Sequence, residues 1–129
     1  MHVLSNMVEA VKPGGLVLDL QVIRPSPTAD VDERVICEID GEPLFRTADA
    51  ATAAVDAFIR AGRLVEEAID DHDVRKHYAN GAELVDDFAD KKRQLPNRAV
   101  PRLLALAQPC VVRERCRLRR LQVRSGGRP

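Results

Sequence analysis

The sequence predicts an α/β fold: a mixed three-stranded sheet with flanking helices and a small β-hairpin. Three observations carry this. A short helical pattern stops at Val11-Lys12-Pro13-Gly14-Gly15 and leads straight into an apolar run, Leu16–Ile23. An Ala-rich amphipathic stretch stops at Gly62 and leads into a second extended segment. A long alternating segment, Cys110–Val123, closes the pattern. The length of 129 residues suits one domain, here residues 1–124, with 125–129 as a disordered tail.

Taken in order, Val3, Leu4, Met7, Val8 and Val11 share one side of a first helix, which Pro13 and the glycines end. Leu16–Ile23 is apolar at nearly every position, as in a strand covered on both faces. Arg24-Pro25-Ser26-Pro27 breaks it, because each proline removes a backbone donor. Arg34–Asp40 alternates, Asp40-Gly41 is a turn pair, and Glu42–Arg46 is expected as the returning arm of a hairpin. Thr47 is placed to cap a helix over Ala48–Ala61, which Gly62 ends. Leu64–Val74 is the next strand, continuing irregularly to His77. Asn80 and Glu83 have capping-box spacing before a helix that runs to about Lys92, and a further helix covers Arg98–Ala107. In Cys110–Val123, a bulge near Arg119-Arg120 would bring Cys110, Val112, Glu114, Cys116, Leu118, Leu121 and Val123 to one side.

Composition narrows the function. Aromatic residues are 3% and Trp is absent, which disfavours recognition by ring stacking. No apolar run approaches the ~20 residues of a membrane-spanning helix. No basic, apolar leader stands at the start. Cys37, Cys110 and Cys116 lack metal or redox spacing, so free thiols in a cytoplasmic setting are expected. Residues 30–90 hold 17 acidic and 6 basic side chains, whereas residues 109–129 hold seven Arg and one Glu. The two blocks are expected to pair internally. Zero net charge speaks against a nucleic-acid partner.

The element order resembles the C-terminal half of a class I S-adenosylmethionine-dependent methyltransferase. The resemblance rests on Val11-Lys12-Pro13-Gly14-Gly15 before a buried strand, then helix, strand, two helices and a long final strand. It implies a partial Rossmann-like sheet in which 110–123 runs antiparallel between 16–23 and 64–74. It also implies a parent reaction of methyl transfer to a small molecule, with S-adenosylmethionine as cofactor. The chain departs from the family in having no GxGxG loop; its double glycines are Gly14-Gly15 and Gly126-Gly127. Cofactor-binding residues are therefore assigned nowhere in this chain, and the expectation is a truncated protein, inactive alone.

Six polar residues are candidates for a substrate mouth: Asp19, Gln21, Arg24, His72, His77 and Tyr78. Asp19 sits inside an apolar strand and needs a partner, expected from an Arg of the last strand. Gln21 and Arg24 lie nearer the strand end, where open α/β sheets bind ligands. His72 lies in Asp70-Asp71-His72-Asp73, the densest polar cluster, with His77 and Tyr78 beyond. On a strand, Asp71, Asp73 and His77 share a face that His72 does not, so no metal site is expected there. No catalytic residue is named. Arg113, Arg115, Arg117 and Arg119 alternate as a stripe, to be paired with carboxylates such as Glu66 and Asp70. The alternative to a truncated methyltransferase is a non-catalytic module that completes a partner's sheet. The open edge of 16–23 would then pair with a missing N-terminal half or with another copy of the chain. A basic-strand nucleic-acid binder is the third reading.

Overall fold

The structure, a computed structural model, describes residues 7–91 and 94–124. Its strands are β1 (Leu16–Val22), β2 (Thr28–Val31), β3 (Arg34–Glu38), β4 (Leu64–Tyr78) and β5 (Cys110–Val123). Its helices are α1 (Glu42–Arg60), α2 (Gly81–Phe88) and α3 (Val100–Leu104), the last preceded by a 3-10 turn at Asn97–Ala99. Residues 7–10 are also helical and Val11 is a bend; residues 3–6 of the first expected helix, and the tail 125–129, lie outside the described residues.

β5 organises the sheet. It hydrogen-bonds β1, β2 and β4, and β2 in turn pairs with β3. Gly14 N–H donates to the Val123 carbonyl while Ile23 N–H donates to that of Arg115, so β1 and β5 run antiparallel. The expected order of 16–23, 110–123 and 64–74 is present, with β5 antiparallel to both neighbours. The expected mixed three-stranded core is corrected to five strands. Because β5 intervenes between β1 and β4, no parallel ladder forms among the described strands.

The chain divides into two compact units, each with its own core. The first comprises described residues 7–21, 47–71 and 116–124. Val8, Val17, Val55, Leu64, Leu121 and Val123 are its centre, with Ala54, Phe58 and Ile59 of α1 packed against them. α1 forms because alanines dominate a stretch whose apolar residues recur every three or four positions. It ends as Gly62 (φ +75) takes the left-handed conformation. Gly62 N–H donates to Ile59 and Arg63 N–H to Phe58, which satisfies the last carbonyls of the helix. β1 corrects the sequence reading. Val17 is buried, but Leu16, Leu18 and Leu20 are 45%, 63% and 57% exposed. Among the described residues, only one face of this strand is covered.

The second unit comprises residues 22–46 and described residues from 72 to 115. Ala29, Ile39, Leu84, Phe88, Leu103, Cys110 and Val112 lead its core. The hairpin is β2–β3, not 34–46. Val31 pairs with Arg34, so the loop is Asp32-Glu33. Both loop residues are left-handed (φ 49 and 64), the twist a two-residue hairpin requires. Asp40-Gly41 instead starts α1: the Asp40 carboxylate accepts from Glu42 N–H at 3.1 Å. This cap competes with the turn and wins, so the helix begins six residues before Ala48. The Asn80 cap holds as expected. Its side chain accepts from Glu83 N–H at 2.9 Å, and Glu83 reaches back to Ala79 N–H at 2.7 Å. α2 stops at Phe88, short of Lys92, and the next helix is five residues rather than ten: a 3-10 turn takes up Asn97–Ala99 and Pro101 stands in its first turn.

In β5 the burial alternation changes parity between Cys116 and Arg119. The shift lies slightly earlier than Arg119-Arg120, so Leu118 is only half-buried while Arg119 is 7% exposed.

Gly81 is held to glycine by packing. A Cβ there would overlap the Leu103 carbonyl oxygen, while Gly81 N–H donates to Leu106 at 3.0 Å. Backbone cannot yield as a flexible side chain can. Gly81→Ala should therefore destabilise by about 3 kcal/mol or more. Urea denaturation measures it, with Gly14→Ala as the contrast: there a Cβ meets open space and the cost is the left-handed φ alone.

Candidate functional site

In the second unit, side chains from three strands meet on one sheet surface. β2 alternates Thr28, Ala29, Asp30; Ala29 is fully buried and pairs in register with buried Val112. Thr28 and Asp30 pair with Arg113 and Val111. A cavity of about 340 Å³ is lined by Asp30, Asp32, Glu33, Arg75, His77, Val111 and Arg113. A smaller one of about 170 Å³ shares Arg113 and adds Ser26, Thr28, Asp73 and Arg115. Together they form a groove bearing four carboxylates and three guanidiniums.

Ion pairs order this groove. Arg115 meets Asp73 at 3.2 Å and Arg113 meets Asp30 at 3.5 Å. Two polar atoms in it are buried without a hydrogen-bond partner among the described residues: Thr28 Oγ1 and Asp30 Oδ1. Buried polar atoms are nearly always satisfied, so these two mark a place where a donor is wanted.

The sequence candidates fall in several places. Asp19 takes Gln21 as its partner, whose Nε2 donates to Asp19 Oδ1 at 2.9 Å; this replaces the expected arginine. Arg24 is exposed, 3.4 Å from Glu42, with its guanidinium 5.0 Å from the Phe45 ring centre. His72 is half-buried on β4. His77 lines the groove. Tyr78 is buried in the second core, and its hydroxyl donates to Asp87 at 2.5 Å. His77 and Tyr78 also line a shallow cleft of about 300 Å³ with Lys76, Glu83, Asp86 and Asp87. Among the described residues no three His, Cys, Asp or Glu side chains are disposed to hold a metal.

The arginine stripe is paired, as its spacing suggested. In the first unit Arg117 grips Asp71 with two bonds of 2.8 and 2.9 Å, which holds its pKa above the ordinary value. Arg119 bonds Glu66 at 2.6 Å and Asp56 at 3.0 Å. Burial works against its charge, but the hydrogen bonds and negative charges of Glu66 and Asp56 together outweigh it and raise its pKa. Arg120 meets Glu67 at 3.2 Å. The three cysteines are free; burial raises the thiol pKa of Cys37 and Cys110, which keeps both poorly nucleophilic at neutral pH.

Asp30, Asp32, Glu33, Arg75 and Val111 escaped the sequence reading. The signal was present in Thr28-Ala29-Asp30-Val31, a polar–apolar alternation, but the prolines before it masked a strand of four residues.

Compared with protein-family models, with curated proteins and with solved structures, the chain matches none.

Asp87 yields a pH prediction. The Tyr78 hydroxyl first, then Lys76 and Lys91, hold its carboxyl well below its ordinary value of 3.8. A depressed folded pKa stabilises the fold above the unfolded pKa, and that stability is lost as pH falls through the folded value. Asp87→Asn should therefore lower the thermal midpoint at pH 6 and flatten its decline below about pH 4. Melting curves across pH 2–6 for both proteins check this.

Proposed function

We propose that this chain is a non-catalytic interaction module that completes the sheet of a partner through β1. The observation that carries it is the row of Leu16, Leu18 and Leu20, exposed on a strand that only β5 pairs among the described residues. Ladder bonds to β5 at Gly15 and Ile23 fix the alternation. Odd positions turn their backbone groups toward β5; even positions turn theirs to the open edge. The leucines thus offer unpaired backbone and apolar side chains together. No Lys, Pro or bulge blunts the strand. Val65 and Ile69 of β4 are also exposed in the same unit. An added strand would satisfy the edge and bury the leucines in one step.

A second reading rests on the strand order. β5 between β1 and β4 is the arrangement the methyltransferase resemblance implies, with the sheet continuing beyond β1. Both readings use the same edge. They part on S-adenosylmethionine: the interaction module does not bind it. Titration calorimetry with a micromolar dissociation constant would favour the enzyme reading.

The edge is tested with a second copy of the chain and with a synthetic peptide copying residues 14–24. Self-association should rise across a dilution series in light scattering, and the labelled peptide should bind. Leu18→Pro should weaken both at least about tenfold while leaving the fold intact, because its N–H faces outward. Leu20→Lys should act likewise. A wild-type chain that stays monomeric at high concentration and ignores the peptide overturns the proposal.

A further inference from the structure

We infer that the groove of the second unit binds a small zwitterion, a molecule bearing one ammonium and one carboxylate, as an α-amino acid does. This inference is independent of the β1 edge.

The groove selects by charge pattern. Asp30, Asp32, Glu33 and Asp73 line two adjoining cavities together with Arg75, Arg113 and Arg115. A simple anion entering there meets four carboxylates, and a simple cation meets three guanidiniums. A zwitterion meets both signs with its own opposite charges. The volume of about 340 Å³ is at the small end of ligand pockets, and Val111 supplies one apolar surface for a short side chain.

Two acceptors mark the ammonium end. Thr28 and Asp30 stand two apart on β2 and share a face, and each carries a buried oxygen that no described donor reaches. An ammonium has three donors and can serve a carboxylate and a hydroxyl at once. Arg113 marks the carboxylate end. It lies opposite Thr28 in the ladder, its side chain is 39% exposed, and it sits 3.5 Å from Asp30. That contact is longer than the 3.2 Å of Arg115–Asp73. A zwitterion inserting between Arg113 and Asp30 exchanges one loose ion pair for two: ammonium to Asp30, carboxylate to Arg113. Guanidinium forks take carboxylates in bidentate fashion, and Arg115 and Arg75 stand near enough to line the same groove. No bond is made or broken, so the site is one for binding.

Thermal shift with the twenty common amino acids tests it, using propionate and propylammonium as single-charge controls. At least one amino acid should raise the midpoint by about 3 °C at roughly ten times its dissociation constant, and neither control should match it. Calorimetry should then show binding weakened at least about tenfold in Arg113→Gln and in Asp30→Asn. Should Asp30→Asn fail to fold, Arg75→Gln and Arg115→Gln, both at exposed or half-exposed guanidiniums, must weaken binding of the same amino acid. No shift from any amino acid, an equal shift from propionate, or binding unchanged in Arg113→Gln overturns the inference.

Discussion

The backbone of β5 is the constraint on which the rest depends. Three other strands take their ladder bonds from it, and only β3 attaches indirectly. Its side chains also feed both cores: Cys110 and Val112 enter one, Leu121 and Val123 the other. Its buried positions also change parity along the way, even numbers up to Cys116 and odd numbers from Arg119. A half-buried Leu118 is the cost of the change.

Charge is arranged around the same strand. Alternate arginines would repel one another if left bare. Each described member of the stripe from Arg113 to Arg119 instead meets a carboxylate of β2, β4 or α1. Arg119 is the extreme case. It is nearly buried, whereas Asp56 and Glu66 keep 44% and 32% exposure. The acids could be solvated without the arginine; the arginine could not be buried without the acids. Within the described stripe, the basic side chains from Arg113 to Arg120 are therefore a complement to the acidic middle of the chain.

Much of this was legible in the residues. Gly62, Asn80 and the long alternation from Cys110 mark local chemistry: one helix ends at Gly62, another starts after Asn80, and a long strand runs from Cys110. Two of the readings that failed show the physical reasons most plainly. Asp40-Gly41 is as good a helix start as a hairpin turn, and local sequence alone does not say which partner the Asp40 carboxylate will choose. Leu16–Ile23 looks like a fully buried strand because burial was inferred from apolarity; exposure depends on what packs against the outer face, and that is not written in the strand. The groove was hidden for a third reason. Its residues come from β2, β4 and β5, and the ladder, not sequence proximity, brings them together.

The turn at Asp32-Glu33 has a consequence for motion. Left-handed backbone costs a residue with a side chain about 1–2 kcal/mol, and this turn uses two such residues in succession without a glycine. A hairpin so connected would not hold together by itself. In the fold, β2 is docked on β5, which supports the hairpin from its other edge. Hydrogen exchange should accordingly find the β2–β3 amides opening more readily than those of β5, and the wall of the groove that carries Thr28 and Asp30 would be its most yielding side.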